Sequence, residues 1–287
     1  MSLALAGAGW ELELLPALGG AIGALRHQGA DVLRPTPEGA TDPLQSACFP
    51  LVPYANRIAG GRFGFNGRDI RLPLNFGDHP NSLHGTGWQR AWDIVGADAD
   101  RAVLALDHDG GDGWPWAWHA EQIFALDATG LGVTLTLTNM SRERMPAGVG
   151  LHPYFAIRPG TMLRLNTARA WLTDDLQIPS EPAPADHFGD WASGASIAEA
   201  GFIDHSYEGW DGVATLDTGD HIVRLTAEGA RDLHLYHPEG ESFCCLEPVS
   251  HLPDAFNQPD GVFDVLAPGE SRVLVMRIGV DGAGARG

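Results

Sequence analysis

Apolar and polar residues alternate along much of the chain, which is the pattern of strands that are buried on one face. In the clearest run, Val133 to Thr138, apolar side chains alternate with threonines. Similar runs lie at Trp10 to Leu15, Ala102 to Asp107, Ile222 to Thr226, Leu233 to Tyr236, Phe243 to Leu246 and Arg272 to Ile278. Helical periodicity is weak, and it predicts one short helix at Ala192 to Ala200. The pattern therefore predicts an all-β protein.

Turn-forming residues separate these runs, as strands joined by tight connections require. Glycine contributes 37 of the 287 residues and proline 20, which disfavours long helices. Asn66-Gly67, between Arg62 to Phe65 and Arg68 to Leu72, predicts a hairpin with a two-residue turn. Pro179 to Pro184 has the composition of a linker but is too short to divide the chain. We therefore expect residues 1–287 to form a single domain, a large antiparallel β-sandwich with few short helices.

The net charge of the chain limits the classes of partner that it is expected to bind. It has 18 basic and 37 acidic residues, a net charge of −19, and all 18 basic residues are arginine. An acidic surface repels phosphate backbones and anionic lipid headgroups, so neither nucleic acid nor a membrane is an expected partner. The absence of lysine from the sequence excludes Schiff-base chemistry on a lysine and a P-loop lysine.

Cysteine use and the first residues favour a reducing compartment. Cys48, Cys244 and Cys245 cannot form a disulfide framework and lack zinc spacing, and the last two should point to opposite faces of one strand. No basic residue precedes Arg26, so we expect no signal peptide. No uncharged apolar run approaches the roughly 18 residues of a membrane span. We therefore expect a cytoplasmic protein.

His152 and Glu247 share a sequence context that suits catalysis. Each follows an apolar run and precedes a proline, which drives the residue before it into extended backbone, so each should stand at the end of a strand. The carboxylate of Glu247, beside Cys245 and Leu246, is partly desolvated, which raises its pKa toward neutrality and suits a general base. Histidine is the natural partner acid.

Arg57 and His84 are the candidates for ligand binding in two further clusters, Pro53 to Gly61 and Asn81 to Trp88. Arginine presents planar donors to hydroxyl groups or a carboxylate. Glycines beside His84 let a ligand approach closely. When each of these two residues is considered alone, a structural role is the simpler interpretation.

Tryptophans supply candidate stacking faces. Trp88 and Trp92 offer flat rings beside His84. The rings of Trp114, Trp116 and Trp118 form either a sugar-stacking wall or part of the core.

The motifs of common cofactor and nucleophile enzymes are missing from the sequence. It has no Gly-x-Ser-x-Gly nucleophile elbow, and no Gly-x-Gly-x-x-Gly loop opens a predicted helix, so a nucleotide cofactor is not expected. His84, His152 and Glu247 are conceivable metal ligands, but no pair has the tight spacing of a zinc motif. We expect neither a metal nor a cofactor.

Taken in order, these clusters make the chain resemble the aldose 1-epimerase (galactose mutarotase) family. The resemblance extends over about residues 10 to 278 and rests on Asn56-Arg57-Ile58, Gly60 to Phe63, Asn81 to Gly85, His152 to Phe155, Ile203 to Tyr207 and Glu247-Pro248. It implies the galactose mutarotase-like supersandwich, a large β-sandwich whose concave face opens a sugar-binding cleft.

The resemblance also implies roles for five residues. Glu247 looks like the general base and His152 like the general acid, on opposite sides of one pyranose. Arg57, His84 and Asp204 look like the residues that hold sugar hydroxyl groups.

The block around Asp204 departs from the family. It reads Asp-His-Ser-Tyr where relatives commonly have Asp-His-Cys-Phe, and Asp211 follows closely as a competing candidate. Which of the two aspartates contacts the sugar stays open at this point.

The activity that the resemblance implies is interconversion of the α and β anomers of a free aldose. The C1 hydroxyl is deprotonated while the ring oxygen is protonated, the ring opens, the C1–C2 bond rotates and the ring closes on the other face. One base and one acid suffice. The sequence leaves open the preferred aldose and the choice between monomer and homodimer.

Three other functions remain in view. A hexose-6-phosphate 1-epimerase would need cations for the phosphate, and Arg62, Arg68 and Arg71 are near Arg57 in sequence. A carbohydrate-binding module would keep the fold without the chemistry. A metal-dependent isomerase or lyase would use the two histidines and the glutamate as ligands.

Overall fold

Strands dominate the structure, a computed structural model that describes residues 2–282. The first strands are β1 Leu3–Gly7, β2 Trp10–Leu15, β3 Ala21–His27, β4 Ala30–Asp31, β5 Pro50–Leu51, β6 Arg57–Ile58, β7 Arg62–Phe65, β8 Arg68–Arg71, β9 Ser82–Leu83, β10 Asp93–Ala97, β11 Arg101–His108, β12 Trp118–Asp127, β13 Gly130–Asn139 and β14 Met145–Ala147. They are followed by β15 Gly150–Leu151, β16 Tyr154–Ala156, β17 Met162–Leu165, β18 Arg169–Thr173, β19 Pro179–Ala183, β20 Ala195–Ser196, β21 Ile203–Glu208, β22 Val213–Asp217, β23 His221–Glu228, β24 Asp232–His237, β25 Phe243–Val249, β26 Asp264–Leu266 and β27 Ser271–Gly282. The helices within residues 2–282 are the single 3-10 turns Pro43–Gln45, Ala59–Gly61 and Gly87–Gln89.

Two large antiparallel sheets form the body of the fold. The nine-stranded sheet runs β10-β11-β12-β13-β27-β23-β22-β17-β20. The eight-stranded sheet runs β19-β18-β21-β24-β25-β15-β5, with β16 also paired to β25. A four-stranded sheet, β1 to β4, precedes them in the chain. The predicted all-β antiparallel fold is therefore confirmed.

Alternating residues of the two large sheets share one buried core. In β13, Val133, Leu135 and Leu137 are buried, while the threonines between them are partly exposed. The same cluster contains Leu235 of β24 and Leu246 of β25 from the other sheet. Burial of each leucine contributes about 1.5–3 kcal/mol, so the facing sides of the two sheets hold the sandwich together.

The second face of the eight-stranded sheet carries the chemistry. Neighbouring residues of a strand point to opposite faces. Cys244 belongs to the core between the sheets, whereas Cys245 belongs to a second buried cluster with Phe49 and Tyr154. The prediction for the two cysteines is thus confirmed. Glu247 follows Cys245 by two residues in β25, so it points away from the core between the sheets.

The hairpin predicted at Asn66-Gly67 is confirmed. Phe65 at the end of β7 pairs with Arg68 at the start of β8. Asn66 and Gly67 have φ values of 49° and 74°, and two positive values match the twist of an antiparallel pair.

The helix predicted at Ala192 to Ala200 is wrong. This segment forms turns around β20, which pairs with β17 at the edge of the nine-stranded sheet. Gly194 has a φ of 95°, which interrupts a right-handed helix. The neighbouring Trp191 ring is buried in the core and fixes the start of the segment.

The linker interpretation of Pro179 to Pro184 is also wrong. Pro179–Ala183 is β19, which pairs with β18 at the edge of the eight-stranded sheet. Proline has no N–H to donate, and an edge strand tolerates this because one of its sides has no partner strand.

None of the helices within residues 2–282 has the length and apolar character that crossing a bilayer requires. The single domain over residues 1–287 and the cytoplasmic location stay predictions, and residues 1 and 283–287 lie outside the described residues.

Candidate active site

Glu247 lies inside β25, not at its end. The pairing of β24 with β25 places Glu247 opposite His234, and Pro248 continues the strand opposite Leu233. The prediction that Glu247 ends its strand is therefore wrong. A proline drives the residue before it into extended backbone, but the extended chain continues where the ladder needs no N–H from the proline itself.

His152 stands directly after the end of a strand, as predicted, and before the start of another. β15 ends directly before it, and β16 begins two residues after it. Both strands pair with β25, through Gly150 opposite Val249 and Tyr154 opposite Cys245. These pairings bring His152 to Glu247.

The side chains of His152 and Glu247 are in direct contact. Nε2 of His152 lies 3.2 Å from Oε1 of Glu247, and the two side chains are 7% and 1% exposed. The structure thus brings the predicted acid and base together. The prediction that a pocket as wide as a pyranose separates them is wrong, because the two groups touch.

Burial shifts the pKa values of this pair in opposite directions. Desolvation, followed by the nearby charge of Asp204, raises the pKa of the Glu247 carboxyl well above its ordinary value of 4.5. Desolvation, together with nearby positive charge, lowers the pKa of His152 from 6.5 to about 3. Burial penalises the charged form of each group. The pair therefore favours a state in which both groups are neutral and one transferable proton lies between them.

Two aromatic rings fix the orientation of the His152 imidazole. Phe49 stacks on it at a centroid distance of 4.6 Å and Tyr154 at 4.7 Å, with interplanar angles of 25° and 23°. Contact with two rings restricts rotation of the imidazole and keeps Nε2 near Glu247, which is the preorganisation that proton transfer requires.

His84 is held as a hydrogen-bond donor. Its Nδ1 accepts from the backbone N–H of Asn56 at 3.0 Å, so the proton of the neutral ring is on Nε2. Burial, followed by nearby positive charge, lowers the pKa of His84 well below 6.5. Its ring stands edge-on to that of His152 at 5.4 Å. His84 therefore presents an N–H beside the acid–base pair.

Asp204 is the centre of a buried hydrogen-bond network. Its Oδ1 accepts from Nε2 of His234 at 2.7 Å, and its Oδ2 accepts from Arg57 at 3.0 Å and from the Gln177 amide at 2.6 Å. Burial alone would raise the pKa of Asp204, but the hydrogen bonds from His234 and Arg57 and the charge of Arg57 lower it below its ordinary range. Nδ1 of His234 in turn contacts the Ser206 hydroxyl at 2.8 Å.

Asp211, the competing candidate, is not part of this network. It is exposed, and its carboxylate accepts from Asn166 at 3.0 Å and from the backbone N–H of Val213 at 3.0 Å. The geometry therefore favours Asp204 as the aspartate of the cluster.

Sequence reasoning missed Gln177 and His234. His234 had a usable signal, since it is a polar residue between two leucines in a strand, at a position where the alternation puts it on one face with Glu247. Gln177 had none, because it reaches Asp204 from the loop between β18 and β19.

The candidate stacking tryptophans are part of the interior. Trp114, Trp116 and Trp118 are all buried in the main core cluster, so the sugar-stacking interpretation of these three is wrong. Trp88 and Trp92 are buried as well, and neither offers a free face.

Three buried polar atoms of the cluster have no hydrogen-bond partner among the described residues: Nδ1 of His152, Oε2 of Glu247 and Nε of Arg57. An unpaired buried polar group costs about 1–3 kcal/mol. A hydroxyl group both donates and accepts, so a ligand rich in hydroxyl groups suits this set. Within residues 2–282 no group of three or more His, Cys, Asp or Glu side chains is arranged to hold a metal ion.

A cavity of about 520 Å³ opens next to the cluster but not at it. Its lining includes Trp171 of β18, Asp232 of β24 and the segment around Pro253. Asp232 lies two residues before His234 on the same strand, so its side chain is on the same face of the sheet. The cavity therefore opens on the same face of the sheet as the acid–base pair, although neither member of the pair lines it.

The buried carboxyl gives a pH-dependent stability. Below pH 4.5 Glu247 is protonated in both states; as the pH rises further, the unfolded chain loses this proton and the folded chain keeps it. The wild type should therefore lose stability as the pH rises, whereas Glu247→Gln, which cannot titrate at this position, should not. We expect the difference between their free energies of unfolding to grow with pH, by up to about 1.4 kcal/mol per pH unit. Urea denaturation at pH 5 to 8 measures it. A difference that does not change with pH would contradict the raised pKa.

The fold and the cluster define a supersandwich protein with a buried acid–base pair beside groups suited to hydroxyl binding. The sequence pattern of the aldose 1-epimerase family matches residues 14–279. The chain belongs to the aldose 1-epimerase family.

The chain is also similar to individual proteins and solved structures. YphB, an uncharacterized protein of Escherichia coli strain K12, is 32% identical over 92% of this chain and 93% of its own. The crystal structure of an E. coli K12 protein provisionally described as an aldose 1-epimerase superposes with a TM-score of 0.90, at 29% identity, and covers 98% of this chain and 99% of that one. A galactose mutarotase-like protein from Clostridium acetobutylicum superposes with a TM-score of 0.87, at 19% identity, over 98% and 95% of the two chains, and so shows the shared fold.

Proposed function

We propose that this protein is an aldose 1-epimerase that interconverts the α and β anomers of a free aldose by acid–base ring opening and closure. The observation that carries the proposal is the 3.2 Å contact between His152 and Glu247. Both groups are buried, and the pKa shift of each favours its own neutral form. Membership in the family supports the same reaction.

The proton count of the pair matches the reaction. A protonated carboxyl with a neutral imidazole carries as many protons as a carboxylate with an imidazolium. Moving one proton from Glu247 to His152 therefore produces the base and the acid of the reaction without exchange with solvent. Hydroxyl groups of a bound sugar stabilise the charged form of the pair because they donate to the carboxylate.

The chemical step then uses both groups at once. Glu247 takes the proton of the C1 hydroxyl while His152 gives its proton to the ring oxygen, and the bond between C1 and the ring oxygen breaks to leave the open-chain aldehyde. After rotation about C1–C2 the transfers reverse, the ring closes on the other face, and both side chains return to their first protonation state.

Three residues complete the proposed site as sugar-holding groups. His84 donates from Nε2, the Arg57 guanidinium donates to hydroxyl oxygens, and Asp204 accepts from hydroxyl hydrogens. The reaction needs a sugar as its partner and neither a metal nor a cofactor, because the acid and the base are both side chains.

The phosphorylated alternative is less well supported. Arg62 and Arg71 both pair with Asp69, at 2.5 and 3.2 Å, and Arg68 pairs with Glu143 at 2.6 Å. Because each of these arginines is paired with a carboxylate, its charge is already compensated. All three also lie on the exposed hairpin of β7 and β8.

An anomer-exchange assay tests the proposal. We expect the protein to accelerate the approach of freshly dissolved α-glucose or α-galactose to anomeric equilibrium, followed by polarimetry or NMR, and to act less well on glucose 6-phosphate. Faster turnover of the phosphate would establish the alternative epimerase. Saturable sugar binding without acceleration would identify a carbohydrate-binding module instead.

A further inference from the structure

The loop between β18 and β19 reaches across the candidate site. Within it the Asp174 carboxylate accepts from the backbone N–H groups of Leu176 and Ile178, both at 2.9 Å. The Leu176 carbonyl accepts from the Asn81 amide at 2.9 Å. Asn81 precedes His84 by three residues, so the loop connects the sheet that carries Asp204 with the segment that carries His84.

Gln177, near the tip of this loop, contacts both members of the Arg57–Asp204 pair. Its amide nitrogen donates to Oδ2 of Asp204 at 2.6 Å, and its amide oxygen accepts from the Arg57 guanidinium. One acceptor and one donor side by side are also what two neighbouring sugar hydroxyl groups present. The Gln177 amide therefore already makes the two contacts, with Asp204 and with Arg57, that a bound sugar makes in the proposed function.

The Arg57 nitrogen in these contacts has no further hydrogen to give. Its Nη2 donates to Asp204 and to Gln177, which uses both of its N–H groups. His234 and Arg57 lie on strands and are buried, whereas Gln177 lies on a loop and is only partly buried. Of the groups bound to Asp204, Gln177 is thus the one that can leave without disturbing a sheet.

We infer that Gln177 competes with the sugar: its amide occupies the positions of two neighbouring hydroxyl groups at Arg57 and Asp204, and it must withdraw before an aldose binds. This inference rests on the proposed function and adds a residue that sets substrate affinity. It also limits the substrate class to aldoses with a free hydroxyl group, or two neighbouring ones, that accept from Arg57 and donate to Asp204 in place of the amide.

The inference predicts the direction of the change in KM. When a binding-competent state is only partly populated, the apparent dissociation constant exceeds the intrinsic one by the inverse of that fraction. If Gln177 is withdrawn in about a tenth to a third of the molecules, Gln177→Ala should lower KM by about 3- to 10-fold and raise kcat/KM by the same factor. A residue with a merely structural role would not lower KM.

Two further variants separate the hydrogen bonds from the packing and from the loop. Gln177→Met keeps a side chain of similar length without a donor or acceptor, so it should lower KM as alanine does. Leu176→Ala is the matched control, because this residue is 48% exposed at the same loop tip and its hydrogen bonds to Asn81 and Asp174 use its backbone alone. It should leave KM within twofold of the wild type.

The measurements are KM and kcat for α-glucose by polarimetry, and the dissociation constant of glucose by calorimetry, for the wild type and the three variants. Lower KM and dissociation constant in both Gln177 variants support the competition. An unchanged or higher KM in these variants, in an active wild type, overturns it and leaves the proposed function intact. A wild type that binds glucose without turnover contradicts the proposed function. In that case the dissociation constants of the wild type and the Gln177 variants still show whether Gln177 competes with the sugar. A wild type that neither binds nor converts any aldose of a panel overturns both.

Discussion

Replacing Glu247 by glutamine should lower kcat for anomer exchange by about 10²–10⁴-fold, the usual contribution of general acid–base catalysis. The amide has the size of the carboxyl group but cannot take a proton from the C1 hydroxyl or pass one to His152. KM should change much less, because His84, Arg57 and Asp204 keep their contacts. Polarimetry at saturating sugar gives kcat, and calorimetry shows whether the variant still binds.

Glu241→Gln is the matched control for this variant. Glu241 is exposed and precedes β25, so the substitution makes the same chemical change shortly before the same strand and outside the cluster. Its kcat should stay within twofold of the wild type. If Glu247→Gln retained more than about a tenth of the wild-type kcat, a general base at this position would be excluded.

The pH profile of the wild type tests the same pair. Desolvation holds the pKa of Glu247 above its ordinary range, and the proposed reaction uses the pair while it carries one proton, which it keeps only below that raised pKa. The value of kcat/KM should therefore stay level as the pH passes 4.5 and fall only above the raised pKa of the free protein, where the pair has lost its proton and His152 has none to give to the ring oxygen.

Local pattern was sufficient to predict nine of the 27 strands within residues 2–282. The alternation at Val133 to Thr138 lies within β13, and the Asn66-Gly67 turn joins β7 to β8, because a half-buried strand and a two-residue hairpin each have a signature a few residues long. The helix at Ala192 to Ala200 failed because the composition of a short segment does not show that Gly194 takes a positive φ.

Five residues of the candidate site were predictable from the sequence, but its geometry was not. His152 and Glu247 were found from their context, yet their 3.2 Å contact depends on β15 and β16 both pairing with β25. No local pattern specifies such a long-range pairing. Gln177 was missed for the same reason, since it joins Asp204 and Arg57 only through the course of its loop.

Asp204→Ala should destabilise the fold as well as weaken sugar binding. The Arg57 and Asp204 side chains are only 11% and 7% exposed, so the substitution leaves a buried guanidinium without its carboxylate and takes an acceptor from His234. Removing one partner of a buried ion pair typically costs about 3–5 kcal/mol. Urea denaturation at pH 7 measures the loss, and KM should rise in parallel because a hydroxyl acceptor is gone.

Two comparisons make this result specific. Asp211→Ala removes an exposed carboxylate from the neighbouring turn, and its free energy of unfolding should stay within about 0.5 kcal/mol of the wild type. If the cost of Asp204→Ala comes from the unpaired charge, then Arg57→Met combined with Asp204→Ala should be more stable than Asp204→Ala alone, since the buried charge is gone. A double variant that loses at least as much stability as the sum of the two single variants would show that the pair acts through packing and not through charge.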